Sequence, residues 1–427
     1  MTREKFERLG RLLARELVPA LGCTEPISIA LACAKAREVL GAAPQRVELF
    51  CSGNIIKNAK GVLVPNSGGR RGLAVAAALG AVAGASDRSL RVLEGVSGEQ
   101  QEAAAALAAS GAIRVHLAED RDPLYICAQV TDGEDWAAVE LRGSHTAFSS
   151  VTRNGRVLQR AEQAQAEPGT ELGGLDLWDM LDYAAALEET PDETVYELLR
   201  RQAACNSAVA REGLRGAYGV QVGRIILETG DPARADTLAK ARAAAGSDAR
   251  MDGCNMPVVI NSGSGNQGLT VSLPVITYAE HLRTEETAML RALAVANLVA
   301  LYQKHFIGKL SAFCGAVSAA AGAGAGIGCL LGLSREQIAG IITNTLAGAG
   351  GMLCDGAKAS CALKIAVALD NMLLAVELCR RGQVLAPGSG LVGRDADETI
   401  RRIGQIACDG LQAADREILS LMTSSAE

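Results

Sequence analysis

Aromatic residues are scarce in this chain of 427 residues, since Phe, Trp and Tyr together make up only 3% of it, whereas 49% of the residues are hydrophobic. Few large rings are therefore available to fill a core. Small side chains such as Ala and Gly let helices approach closely, so we expect a core of tightly packed helices. The length is enough to bury a substantial core and predicts two or three domains.

The chain also lacks a strong excess of one charge. Its formal net charge is −6, with acidic and basic residues interspersed. Because it has no basic stripe with interleaved aromatic residues, we expect no nucleic-acid partner. The N-terminus reads MTREKFER and lacks the apolar segment of a signal peptide. The expected location is therefore the cytoplasm.

Charged residues are absent from the stretch 310–334. A membrane-spanning helix needs about 20 apolar residues, so this stretch is long enough to span. Its middle, AAAGAGAG, is only weakly apolar, and the next uncharged stretch, 337–354, contains Thr343, Asn344 and Thr345. Fully buried helices also lack charge, so we favour a pair of buried helices and expect no membrane partner.

Strand-forming patterns are confined to residues 45–160, where five short runs alternate with hairpin-type turns at 131–135 and 153–155. Elsewhere the apolar residues recur at helical spacing. The sequence therefore predicts an α+β protein, with a large all-α helical domain (1–44 and 161–427) into which a smaller α+β domain (45–160) is inserted. The polar stretch 161–174 would be the returning linker.

Three of the twelve cysteines stand out by their surroundings. They are Cys314, Cys354 and Cys361, which lie 40 and 7 residues apart. A cytoplasmic chain of this size is not expected to be built on disulfides. Thiolates held at fixed positions bind iron–sulfur clusters, but this spacing also suits incidental buried thiols. A structural zinc ion is a lesser alternative, because it would need a fourth ligand.

A fourth cysteine, Cys23, precedes a predicted helix in which Thr24 suits the N-cap and Pro26 the first turn. The amide groups and dipole of a helix N-terminus stabilise a thiolate and lower its pKa. A thiol with a lowered pKa could be a nucleophile or a general base. An ordinary buried cysteine is the alternative.

Two polar, glycine-rich turns are candidate ligand sites. The first reads VPNSGGR and contains Asn66, Ser67 and Gly68; because an Ala-rich helix follows, it is typical of an anion site, although an ordinary turn would look alike. The second, NSGSGNQG at 261–268, contains a dinucleotide-binding pattern. No βαβ unit surrounds it and 269–274 is a poor helix start, so we favour a backbone turn that approaches a ligand or cluster.

The four histidines do not show zinc-binding spacing. His145 is the one candidate for the site, because it lies among small polar residues at the start of a predicted strand. A structural role for this histidine is the alternative.

Several motifs together closely resemble the L-cysteine desulfidase family, which is related to the alpha portion of iron–sulfur-dependent L-serine dehydratases. These motifs are LGCTEP, GNIIKN, SGSGNQG, KLSAFCG and GMLCDGAKxxCALK. They follow one another in the family's order from about Leu9 to Met422, so the resemblance covers nearly the whole chain. The last two motifs are long and specific.

The resemblance implies a [4Fe–4S] cluster held by Cys314, Cys354 and Cys361, and it matches Cys23 to the family's proposed catalytic cysteine. It implies cysteine catabolism, in which L-cysteine and water yield pyruvate, ammonia and hydrogen sulfide. Related serine dehydratases can place a C-terminal cysteine on the cluster. Here the tail LMTSSAE has no cysteine and the last one is Cys408, which favours an iron open to substrate.

On this hypothesis the open iron acts as a Lewis acid on the substrate thiolate, and Cys23 takes the Cα proton. The turn at Asn66, Ser67 and Gly68, with His145 nearby, would bind the carboxylate. The expected partner is a small-molecule amino acid, and a homodimer stays open as the assembly. Two alternatives remain: an L-serine or L-threonine dehydratase of the same mechanism, and a non-enzymatic iron–sulfur sensor.

Overall fold

Helices dominate the computed structural model, which describes residues 1–119, 121–161 and 172–424. The strands belong to two sheets, so the protein is of the α+β class, as the sequence predicts. The helices are α1 (Arg3–Glu16), α2 (Thr24–Leu40), α3 (Gly53–Ala59), α4 (Leu73–Ala83), α5 (Gly98–Ala109), α6 (Leu177–Glu189), α7 (Glu193–Arg215), α8 (Val222–Thr229), α9 (Ala235–Met251), α10 (Gly265–Leu282), α11 (Glu286–Ile307), α12 (Gly315–Leu330), α13 (Arg335–Ala349), α14 (Cys361–Arg380), α15 (Ala396–Gln405) and α16 (Gln412–Ser424). A 3-10 turn at Ser86–Arg91 and a π-helical turn at Ile406–Gly410 accompany them.

The larger sheet has six strands in the order β3-β2-β4-β5-β6-β7. Strands β2 and β3 are parallel, and the other neighbours are antiparallel. The six are β2 (Arg46–Cys51), β3 (Ile113–Leu117), β4 (Tyr125–Thr131), β5 (Trp136–Arg142), β6 (Phe148–Arg153) and β7 (Arg156–Arg160). All of them fall within the stretch for which the sequence predicts strands.

A second, two-stranded sheet was not predicted. Strands β1 (Pro19–Leu21) and β8 (Pro257–Val259) pair antiparallel and join the start of the chain to the segment before α10. The helical part is therefore not all-α, which corrects the prediction. Strands of three residues are too short to show a periodic pattern, so sequence analysis had no signal for them.

Helix α2 connects the larger sheet to the helices. Buried and more exposed residues alternate along β2, β4 and β5, as they do in strands with one buried face. The buried face includes Val47, Leu49, Ile126 and Val139. Helix α2 packs on this face at β4 and β5. Helix α4 packs against α2 as well. The first turn of α2 is thereby held in a fixed position deep in the molecule.

The uncharged stretch 310–334 forms α12, in which residues 316–328 are all buried. Here the sequence prediction of tight packing through small residues is confirmed. A Cβ atom on Gly322 would lie 2.4 Å from the carbonyl oxygen of Ala296, so α11 and α12 could not approach as closely with a larger residue. Among the described residues, no helix combines the length and apolar character needed to cross a membrane.

Some predicted boundaries are wrong. The stretch 269–274 is helical and belongs to α10, with Pro274 inside the helix. Buried apolar residues on both sides of this proline favour the helix, because packing outweighs local preference. Near the C-terminal end, the π-helical turn at Ile406–Gly410 separates α15 from α16.

The division into domains stays a prediction. The buried side chains of residues 45–160 and those of the helices form one continuous cluster. The predicted linker at 161–174 lies mostly outside the described residues.

Candidate active site

A cavity of about 100 Å³ lies where the N-terminus of α2, the turn before α10 and the C-terminal end of α11 meet the segments that begin α12 and α14. The three motif cysteines line it, and so does His145. Its wall has a cysteine side and a polar side. The polar side is lined by Glu25, Asn58, Arg250 and the residues 262–267.

Backbone pairing brings Cys314 and Cys354 next to each other. Phe313 and Leu353 form an antiparallel bridge. The N–H of Cys314 donates to the carbonyl oxygen of Met352 at 3.0 Å, and the N–H of Cys354 donates to that of Ala312 at 2.7 Å. Two short extended segments thus bring together two cysteines that lie 40 residues apart in the sequence.

The third cysteine, Cys361, is the first residue of α14. The N–H of Lys358 donates to its Sγ at 3.4 Å, and its thiol donates to the carbonyl oxygen of Gly356 at 3.6 Å. Gly356 has φ 91°, and a Cβ there would lie 2.6 Å from the carbonyl oxygen of Lys57. The glycine of the CDG motif therefore lets the cysteine-bearing turn pack against α3.

The donor set of this wall fits an iron–sulfur cluster. All the cysteines of the chain are free thiols, and burial, together with the neighbouring Cys354, raises the pKa of Cys314 to about 12. Within the described ranges, no three His, Cys, Asp or Glu side chains converge as ligands of one metal ion do. A cluster binds its cysteines through separate irons, so it does not require them to meet at one point.

The carboxylate of Glu25 is the acidic group on the polar side. Its Oε1 accepts a hydrogen bond from Nδ2 of Asn58 at 3.0 Å and lies 3.8 Å from Nε2 of His145. Burial alone would raise the pKa of this carboxyl, but His145 and Arg250 outweigh burial and lower the pKa to about 2. Glu25 therefore stays ionised at any physiological pH.

Three buried polar atoms that belong to lining residues lack a hydrogen-bond partner anywhere in the described chain: Nε2 of His145, Oδ1 of Asn58 and Oε1 of Gln267. Buried polar groups in native proteins are nearly always paired. Unpaired atoms that meet in one cavity indicate that a ligand completes their hydrogen bonds.

Lys304, in the last turn of α11, also lines the cavity and is only 5% exposed. Burial lowers the pKa of its amine to about 8, although the nearby Cys354 and Cys314 act in the opposite direction. Sequence analysis did not select this residue. A possible signal was that the lysine directly follows the uncharged run 292–303 in one helix.

Cys23 is the N-cap of α2, a position that the sequence assigned to Thr24. It lies behind the cysteine wall, packed against Met251 and Cys361, and is absent from the described lining of the cavity. The expected lowering of its pKa is not found, because burial, only partly offset by Arg250, raises the pKa to about 11.

Asn66, Ser67 and Gly68 are likewise absent from the lining that the structure describes. Their turn satisfies its own polar groups: Oγ of Ser67 bonds to Arg70, and Nδ2 of Asn66 donates to the carbonyl oxygen of Leu93 at 2.8 Å. Helix α4 begins only at Leu73. An Ala-rich helix does follow the turn, but it begins five residues after Gly68, and the binding role of these residues stays a prediction.

The turn at 261–268 does reach the cavity, where Ser262, Gly263, Ser264, Asn266 and Gln267 line it. Ser264 caps α10, which follows β8. The two preceding strands are antiparallel, so the parallel unit of a dinucleotide site is not formed by β1 and β8.

Comparison with known proteins places the chain among relatives of its own length. A family model described as serine dehydratase alpha chain matches residues 87–420, a range that includes the three cysteines but begins after Cys23 and Glu25. A UPF0597 protein of Lachnoclostridium phytofermentans is 45% identical over 419 residues, which cover 98% of this chain and 99% of the relative. A UPF0597 protein of Treponema denticola is 40% identical over 429 residues, covering 99% of each.

Proposed function

The chain belongs to the serine dehydratase alpha-chain family, and on that premise we propose that it is an iron–sulfur-dependent L-cysteine desulfidase. It would convert L-cysteine and water to pyruvate, ammonia and hydrogen sulfide. The observation that carries this proposal is the cavity, in which three free thiols face buried polar atoms that lack partners.

Cys314, Cys354 and Cys361 would hold the cluster. When bound by three cysteines, a [4Fe–4S] cluster leaves one iron free to act as a Lewis acid on the substituent at the substrate's Cβ. Lys364, which lines the same cavity and pairs with Asp355, adds positive charge beside the thiolates. Such charge offsets the negative charge of a cysteine-bound cluster.

The polar side would bind the amino group of the substrate. The ionised carboxylate of Glu25 and the unpaired oxygens of Asn58 and Gln267 are hydrogen-bond acceptors, as an ammonium group requires. His145, whose Nε2 lies 3.8 Å from Oε1 of Glu25, would lie beside the same group. These groups fix the orientation of the Cα–H bond for removal of its proton.

Cys23 remains our proposed acceptor of the Cα proton. A thiol with a pKa of about 11 is a poor base in the free protein, so the proposal requires that its pKa fall when the cavity is loaded. A Cys23→Ala protein that keeps its iron but exchanges no Cα proton of L-cysteine with deuterated water would support the role. If the variant exchanges the Cα proton and turns over L-cysteine as the wild type does, Cys23 is not the acceptor of that proton.

L-serine dehydration is the second candidate, and the description of the family model favours it. A thiol ionises far more readily than a hydroxyl and is the better ligand of iron, which is why we place L-cysteine first. The test is to supply both amino acids to protein reconstituted anaerobically with iron and sulfide. Sulfide and pyruvate from L-cysteine at the higher kcat/KM support desulfidation, whereas pyruvate from L-serine alone contradicts it. A protein that binds the cluster and acts on neither would be a sensor.

A further inference from the structure

Lys304 is the one cation of the cavity wall that the described chain leaves without a partner. Its side-chain amine makes no hydrogen bond and no ion pair with any residue that the structure describes, although the residue is only 5% exposed. An isolated buried charge is costly, so a buried lysine normally has an anion beside it.

The other cations of the wall are already held by the protein. Nζ of Lys309 lies 3.4 Å from a carboxylate oxygen of Glu16, and Lys364 pairs with Asp355. Nε of Arg250 donates to the carbonyl oxygen of Gly22 at 3.0 Å. These side chains keep their partners with or without a ligand, which distinguishes them from Lys304.

We propose that Lys304 binds the carboxylate of the amino acid substrate and thereby restricts the enzyme to substrates with a free carboxylate. This inference rests on the proposed function. It replaces the turn at Asn66–Gly68, which sequence analysis assigned to the carboxylate and which lies away from the cavity. Glu25 and Lys304 then recognise the two opposite charges of a zwitterion from one cavity.

The helix that carries Lys304 suits this task. Helix α11 is buried along most of its length, including Leu301 and Tyr302, so the backbone of its last turn is fixed. Lys304 lines the same cavity as Cys314 and Cys354. A carboxylate held there would lie beside the cysteine wall, as required if the substrate's Cβ substituent is to reach a cluster.

The test compares Lys304→Met with Lys304→Arg and with the matched control Lys240→Met, which removes a lysine of α9 that pairs with Asp370 and is absent from the described lining of the cavity. Each protein is reconstituted anaerobically. We expect Lys304→Met to keep the iron content and visible absorbance of the wild type while its KM for L-cysteine rises roughly 10- to 100-fold, the size of a lost charge-assisted hydrogen bond. Lys304→Arg should recover part of this loss, and Lys240→Met should change KM by less than about 3-fold.

Binding of two substrate fragments tests the role of Lys304 independently of the proposed reaction. Calorimetric binding of 3-mercaptopropionate, which has the carboxylate but no amine, should weaken by a similar factor in Lys304→Met. Binding of cysteamine, which has the amine but no carboxylate, should not change. Equal weakening of both fragments, no weakening of either, or loss of iron from the variant would overturn the role of Lys304. A wild type that binds 3-mercaptopropionate through Lys304 yet acts on neither amino acid would overturn the proposed reaction alone.

Discussion

The turn at Asn66–Gly68 and the wall of the cavity both consist of small polar residues and glycine, but their polar atoms are in opposite situations. In the turn, Ser67 and Asn66 bond to the protein itself. In the cavity, His145, Asn58 and Gln267 each keep an unpaired buried atom. A polar, glycine-rich sequence therefore indicates a turn, whereas unpaired buried atoms indicate a binding site.

The largest difference between the two regions should come from the cysteine wall. Cys354→Ser replaces a proposed cluster ligand, so we expect the reconstituted protein to lose most of its iron and at least about 100-fold of its turnover. Cys329→Ser, in α12 and outside the described lining, is the matched control and should keep both. Iron analysis and visible absorbance measure the effect, and full iron content in Cys354→Ser would contradict the assignment.

A smaller effect is expected from Glu25→Gln. Because the pKa of Glu25 is lowered to about 2 in the folded protein, its charge stabilises the fold above its unfolded pKa of about 4.3, and that stability is lost as the pH falls toward 2. At about 1.4 kcal/mol per unit of pKa shift, we expect Glu25→Gln to lower the free energy of unfolding by roughly 3 kcal/mol at pH 7. The loss should be smaller near pH 3.

Denaturant unfolding at both values of pH checks this prediction, with the exposed Glu102→Gln as control. A difference between Glu25→Gln and the wild type that is the same at pH 7 and pH 3 would show that the carboxylate is not held ionised by His145 and Arg250.

The smallest effect is expected in the turn. Ser67→Ala removes the side-chain bonds to Arg70 and should cost about 1 kcal/mol of stability, while KM for L-cysteine should change by less than about 2-fold. Thermal unfolding and steady-state rates measure the two effects. A large rise in KM with unchanged stability would show that the turn binds the substrate, and it would contradict the difference that we draw between the turn and the cavity.

The parts of this picture that sequence analysis could predict are those with local signals. The strands at 46–51 and 136–142 alternate clearly, and the cysteines Cys314, Cys354 and Cys361 lie in long, specific motifs. On the polar side, the motifs LGCTEP and GNIIKN contain Glu25 and Asn58, but the sequence does not show that these two residues meet His145. Glu25, Asn58 and His145 come from a helix, a second helix and a loop, and only tertiary packing brings them together.

Burial explains the remaining differences. Cys23 does directly precede a helix, as predicted. The sequence does not show how completely its thiol is buried, and burial outweighs the helix dipole in setting the pKa of Cys23. Lys304, by contrast, is a candidate only because the structure shows that its side chain is buried without a partner.

The most direct test of the central claim is Mössbauer spectroscopy of protein reconstituted anaerobically with iron-57 and sulfide, recorded with and without L-cysteine. We predict a [4Fe–4S] spectrum in which the signal of one iron shifts when the substrate is added, and no such cluster in Cys354→Ser. A protein that retains no iron, or a cluster whose four irons are all unaffected by L-cysteine and by L-serine, would contradict it.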